Sequence, residues 1–185
     1  RESIVSRHRT SLAKNIGKRA AWSWAPAQND ADNKVIVLGA NDKVVNAIID
    51  MQLFYAGKDK TEGLNICLTP EHMAMLRKED LVIYKMINSE KGATIYGFKV
   101  YSYSNCPLFD SLLGFKKPFG AVASPDDKKA SFTWATDEVF RCFGDVNVYE
   151  TIKHSGLQAD ILSFAQRALV GNIRANNPKY LGAIV

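Results

Sequence analysis

Few residues in this sequence are both chemically competent and close together. Cys67 and His72 stand near one another in "LNICLTPEH". A strand–helix turn between them would bring a thiol and an imidazole to one strand end, as a cysteine nucleophile needs. No third group is at hand to orient the base, so a core thiol beside a surface histidine is the plainer reading. The other histidines are His8 and His154. His8 falls on an apolar stripe, which favours a packed ring over a ligand, and His154 precedes "SG" in a turn. No serine sits in G-x-S-x-G. The 38–42 turn, within "VLGAND", has one glycine between an expected strand and an expected helix. That is the right place for a phosphate but far short of G-x-G-x-x-G.

Metal chemistry has no better footing. There is no H-E-x-x-H and no cysteine pair. Asp126 and Asp127 adjoin in a turn, where aspartate is favoured for backbone reasons. Asp137 and Glu138 are consecutive, so in a strand they would face opposite sides. Cys67, Cys106 and Cys142 are odd in number and widely spaced, which argues against a disulfide framework and a zinc site. They read as reduced or buried thiols in a reducing compartment. The expectation is therefore no catalytic residue, no cofactor, no metal and no enzyme.

The elements that would hold such residues read as α+β. Residues 3–21 look helical, with Ile4, Val5, His8, Leu12, Ile16 and Ala20 on one stripe and Ser3 as a cap. Trp22, Trp24 and Pro26 end it. "KVIVLGA" (34–40) reads as a buried strand. The helix after it, 41–57, takes Asn41 or Asp42 as cap, Val44, Val45, Ile48, Ile49 and Leu53 as stripe, and Gly57 as stop. "LNICL" (64–68) is a second buried strand. "TPEHMAMLRKED" (69–80) starts a helix with Thr69 as N-cap, Pro70 at the first position and Glu71 where the dipole favours it. "GATIYGFKVYSYSNCP" (92–107) reads as a strand kinked at Gly97. "LFDSLLGFKKP" is a loop or short helix and "FGAVAS" (119–124) a strand. "ASFTWATDEVFRCFG" and "DVNVYETI" are strands or strand edges. In the tail, helical and alternating periods compete, and the pattern alone favours helix.

The 185 residues are enough for one domain or two small lobes. Apolar content of 46% and charged content of 23% are ordinary for a globular chain. No apolar run reaches the roughly 18 residues of a membrane span, and no signal-peptide pattern is present. The net charge of +5 is concentrated. Arg1, Arg7, Arg9, Lys14, Lys18 and Arg19 stand against Glu2 alone, and the rest of the chain is balanced. This is a neutral body with a basic first helix. The helix is either a solvated face or a surface for something acidic, such as nucleic acid.

Four stretches in order, with the basic helix ahead of them, resemble one family, the tailed-phage major capsid proteins. "LNICLTPEHMAMLRKED" resembles its apolar strand running into T/S-P-E/K-H and a short helix. "GATIYGFKVYSYSNCP" is similar to its next strand, I-x-G-F-x-V-Y-x-S-N-x-P. "GAVASPDDKKASFTWATDEV" resembles the strand and turn that follow. "QADILSFAQRALVGNIRANNPKYLGAIV" looks like its closing long strand. "SIVSRHRTSLAKNIGKRAAWSWAP" stands where a long spine helix belongs. The resemblance implies a two-lobed α+β subunit: a peripheral lobe with the spine helix (1–28) and closing strands (154–185), and an axial lobe of mixed sheet flanked by helices (29–153). It turns 157–174 from helix to strand. It implies self-assembly into an icosahedral shell around double-stranded DNA, in hexamers and pentamers of this chain. Other virion proteins, and packaged DNA by non-specific contact, are the further implied partners, with no membrane. It places the protein in the virion, after assembly in the bacterial host cytoplasm. Members also carry an N-terminal arm and an extended hairpin ahead of the spine helix. There is no room for these before Ser3, so they are expected to have been cleaved or omitted. The reading that competes with a shell subunit is a nucleic-acid-binding module acting through the basic helix.

Overall fold

The computed structural model describes residues 2–39, 41–89, 93–154, 156 and 159–185. Its centre is a six-stranded mixed sheet in the order β1-β10-β7-β2-β4-β3. The strands are β1 (Lys34–Ile36), β2 (Leu64–Leu68), β3 (Thr94–Ile95), β4 (Phe98–Ser102), β7 (Ser131–Ala135) and β10 (Leu181–Ile184). β1 runs parallel to β10 and β2 parallel to β4, while β7 is antiparallel to both β10 and β2. β2 and β7 are buried along their whole length, as expected of continuous apolar runs covered on both faces.

One face of the sheet is covered by α2 (Val44–Ala56), α3 (Pro70–Glu79) and α4 (Leu81–Ser89). Val44, Ala47, Ile48, Met51 and Tyr55 of α2 are buried there with Ile66, Leu68, Leu76 and Phe98. The expected stripe of α2 is therefore corrected. Leu53 points outward and is 65% exposed, because Met51 and Tyr55 meet the sheet instead. The close approach of α2 needs Gly182, where a Cβ would collide with Thr133 and Met51. The Tyr55 hydroxyl lies 3.0 Å from Thr133 Oγ1 and donates to Tyr180 O.

The other face is covered by the end of α1 (Glu2–Ser23) and the loops beside it. Ala21, Ala25, Cys67, Cys106, Phe109, Phe132 and Trp134 form this second core cluster. α3 starts as its sequence requires, with the Thr69 hydroxyl accepting from His72 N–H. α4 is an element that the pattern of 81–89 had not revealed.

Three expected strands change. The 34–40 strand is only three residues long. The expected kink at Gly97 is a hairpin turn: β3 and β4 pair with Ile95 opposite Phe98, and Tyr96 (φ 47°) and Gly97 (φ 81°) are both left-handed. Positive φ at both central residues is the tight turn that suits strand twist. Residues 119–124 are not a strand but an exposed loop, having no neighbour to pair with. A small pair, β5 (Leu108–Asp110) with β6 (Asp127–Lys129), lies beside it.

β8 (Val139–His154) and β9 (Ala159–Asn172) form a separate antiparallel ribbon. The tail segment is strand, as the resemblance implied and the periodicity did not. The lobe boundaries expected at 28/29 and 153/154 cross these pairings. β10 lies inside the large sheet, and β8, which falls almost wholly within 29–153, pairs with β9.

Candidate interaction surfaces

The residues singled out for chemistry are held in structural roles. Cys67 is buried in β2, and a hydrogen bond to Cys106, with burial, pushes its thiol far up. His72 is also buried, not on the surface as expected, and burial lowers its pKa and favours the neutral ring. Its Nδ1 lies 2.6 Å from Ser131 Oγ, which accepts from Thr69 N–H at 2.9 Å. Ser131 is fully buried, so the pair ties the α3 N-terminus to β7 and offers a substrate no approach. The His154 side chain lies outside the described residues.

The phosphate reading of 38–42 fails on its own hydrogen bonds. Gly39 N–H is taken by the Asp42 carboxylate at 2.7 Å. α2 begins after Lys43, not after Asn41 or Asp42, and Lys43 gives no side-chain cap. Its first amides, Val44 and Val45 N–H, donate to the two Glu79 oxygens at 3.0 and 3.2 Å. A carboxylate from α3 thus occupies the anion position at the α2 N-terminus.

Three of the four paired carboxylates, those of Asp127, Asp137 and Glu138, meet cations. Asp127 accepts from Ser124 N–H and pairs with Lys117 at 3.1 Å. Asp137 and Glu138 do not alternate across a strand. They lie in a 3₁₀ turn, Thr136–Glu138, and both meet Lys60. Glu138 is buried and also meets Arg174 Nε at 3.3 Å. This cluster joins the root of the ribbon to the end of the large sheet. Among the described residues no group of three or more potential ligands could hold a metal.

What remains open is surface. The ribbon is 16 and 14 residues long, or roughly 50 Å at about 3.4 Å per residue. Among the described residues neither of its outer edges is paired. Directly opposed residues share a face, so Phe143, Val148, Phe164, Gln166 and Ala168 lie on one side. α1 packs there. The His8 ring stacks on Phe164 at 4.5 Å, which fits the packed histidine expected, although the residue is otherwise exposed. Trp24 Nε1 donates to Gly171 O and Asn172 Nδ2 to Ser23 O. A groove of ≈ 340 Å³ separates Ile16 and Ala20 of α1 from Phe132 and Phe143. Phe143, Val148, Tyr149, Ile152 and Leu169 of the ribbon remain exposed.

A second apolar surface is the 111–122 loop, with Leu112 76% and Val122 93% exposed beside Leu113, Phe115 and Phe119. The loop is clasped at both ends. Asp110 Oδ1 accepts from Leu112 and Leu113 N–H. Lys116 Nζ reaches Trp22 O at 3.0 Å and Ala25 O at 2.6 Å, over the Trp22 ring. Burial lowers its pKa to about 8. The outer side of α4 adds Leu81, Val82 and Met86. Clustered exposed apolar side chains of this kind are surfaces on which a protein, membrane or ligand can dock.

On α1, Arg7, Arg9, Lys14, Lys18 and Arg19 are exposed. Among the described residues none of them meets a carboxylate in an ion pair, and Arg19 stacks over Phe119 at 5.0 Å. No described helix is long and apolar enough to cross a membrane.

No protein-family model matches the sequence, and no curated protein matches it either. Solved structures do. A structure of Mycobacterium phage Che8 superposes with a TM-score of 0.67 over 99% of this chain and 62% of that one, at 9% identity. The asymmetric unit of the bacteriophage PhiM1 mature capsid gives 0.59 over 99% and 64%, at 13% identity. The capsid structure of Cyanophage P-SCSP1u gives 0.57 over 100% and 65%, at 12% identity. The chain has the fold of phage capsid proteins. It spans a little under two thirds of the length of the chains it matches. The matches span 99–100% of the chain, so the large sheet, the ribbon and α1 all fall within them.

Proposed function

We propose that this chain is a structural subunit of a phage-type shell, in which copies associate into hexamers and pentamers and enclose double-stranded DNA. The observation that carries this reading is a capsid fold covering 99–100% of the chain, combined with a long ribbon whose edges are unpaired among the described residues. A two-stranded ribbon is marginal alone in water, and a shell of identical subunits is where such an element finds its neighbours. In this reading α1 and the ribbon form the peripheral lobe, and the large sheet with α2, α3 and α4 forms the axial lobe. The role is structural rather than enzymatic. The protein resides in the virion after assembly in the bacterial host cytoplasm, where it also meets other virion proteins.

The exposed basic residues of α1 support non-specific contact with packaged DNA. Such contact is to phosphate and falls steeply with salt. The same helix carries the competing reading, a monomeric nucleic-acid-binding module. Particle mass and negative-stain images of the full-length gene product separate the two. Shells or capsomer-sized rings are expected. A strict monomer, at high concentration and with DNA present, would overturn the shell reading and favour the module.

A further inference from the structure

The second core cluster contains two free thiols that no interaction surface uses. Cys67 and Cys106 are both buried in it. The backbone brings them together by a short route. β4 runs parallel to β2 with Tyr101 opposite Cys67. Just past the end of β4, Tyr103 N–H donates to Leu68 O and holds the chain against the β2 terminus. The chain then folds back, and Cys106 Sγ donates to Tyr103 O at 3.0 Å. Pro107 O accepts from Ala130 N–H, beside the strand whose Phe132 lies opposite Cys67. Cys106 is thereby laid over the β2–β7 pair on the face that Cys67 occupies, and the two residues share one buried cluster. Each sulfur residue also borders a recess: Cys67 the ≈ 340 Å³ groove under α1, and Cys106 a ≈ 240 Å³ recess between α1 and the 118–121 loop.

We propose that Cys67 and Cys106 are a latent disulfide site, open as two thiols in a thiol-rich compartment and closed by a small disulfide oxidant outside it. The reaction balances by thiol–disulfide exchange. One protein thiol, giving up its proton to buffer base as it reaches the recess, attacks a sulfur of a small disulfide RS–SR, forming a mixed disulfide and releasing RS⁻. The second protein thiolate attacks the protein-side sulfur of that mixed disulfide, forming the Cys67–Cys106 bond and releasing the second RS⁻. The two protein thiols are oxidised, the small disulfide is reduced, and the protons pass to buffer and the leaving thiolates. The bond would close a loop of about 40 residues spanning α3, α4, β3 and β4, long enough for cross-linking to restrict the unfolded chain appreciably. Exposed Cys142, on the ribbon, is not a member of this cluster and serves as an internal contrast. The inference does not depend on the shell reading.

The test uses Cys142→Ser, which leaves two cysteines. The folded protein is incubated with excess 2-hydroxyethyl disulfide at mildly alkaline pH, desalted and denatured for intact mass and thiol titration. Expected is a loss of about 2 Da with no free thiol, a melting temperature several degrees higher, and reversal of both by dithiothreitol. The wild-type chain, treated alike and digested without reduction, should yield one cross-linked peptide pair containing residues 67 and 106. Two thiols remaining, a mass gain from mixed disulfides on both cysteines, or a cross-link running to Cys142 would overturn the site.

Discussion

The large sheet and the ribbon are built from similar residues and reach opposite states. In the sheet, β2 and β7 are buried on both faces by two apolar clusters, and the edge strands β1 and β3 are only three and two residues long. Short edges are a natural defence against unwanted pairing. The ribbon has the reverse design. Its strands are long, both outer edges are unpaired among the described residues, and Tyr149, Ile152 and Leu169 face solvent. The difference separates two tasks within one chain. The sheet encloses both core clusters, and the ribbon, backed by α1 on one face, is left open; in the proposed shell reading neighbouring copies complete it.

Substitutions should divide along that line. The largest effect belongs to the sheet core. Phe98→Ala, at a fully buried position, should remove about 3–5 kcal/mol of stability, read from urea unfolding. A loss below about 1 kcal/mol would deny the sheet its role. Glu138→Gln comes next, because it withdraws the carboxylate shared by Lys60 and Arg174 where the ribbon meets the sheet. Losing a buried, charge-assisted partner costs about 1–3 kcal/mol, and in hydrogen exchange the loss should appear first around 136–139 and 172–174. Glu79→Ala removes the cap on Val44 and Val45 N–H and should cost about 1 kcal/mol, again by urea unfolding.

A pH effect of smaller size comes from His72. Burial holds its folded pKa below the unfolded value, so the unfolded chain binds the extra proton first. That contribution to stability is complete above the unfolded value of about 6.5 and is lost as pH falls below it, toward the depressed folded pKa. Urea midpoints between pH 5 and 8 should show the decline, and His72→Gln should flatten it. At the bottom of the range, Ile152→Ser with Leu169→Ser should change subunit stability by no more than about 0.5 kcal/mol and yet suppress particle formation. A large loss of subunit stability would place these side chains in the core instead.

How much of this was legible depended on how local each determinant is. β2 and the start of α3 were readable because Thr69, Pro70 and the apolar run act within a few residues. The cap of α2 was not, because Glu79 reaches it from 35 positions away. The buried side of α2 was misassigned for a related reason: Gly182, Thr133 and Met51 decide it across the sheet. Gly97 signalled a bend, but only the pairing of Ile95 with Phe98 makes that bend a hairpin. Residues 119–124 have strand-like composition and no partner. In β9 neither period is clean, since apolar Leu169 stands exposed on the face away from α1 while polar Gln166 stands on the face toward it. There only the resemblance to a family pointed to strand. Burial of His72 against Ser131 could not be read, because its partner lies 59 residues away.

The most direct test of the central claim is hydrogen exchange on the full-length gene product, compared between dissociated subunits and assembled particles. Amides of 64–68 and 131–135 should be protected in both states, and those of 139–152 and 161–172 should gain protection only on assembly. Ribbon amides that exchange alike in both states, or a gene product that never assembles, would contradict the account.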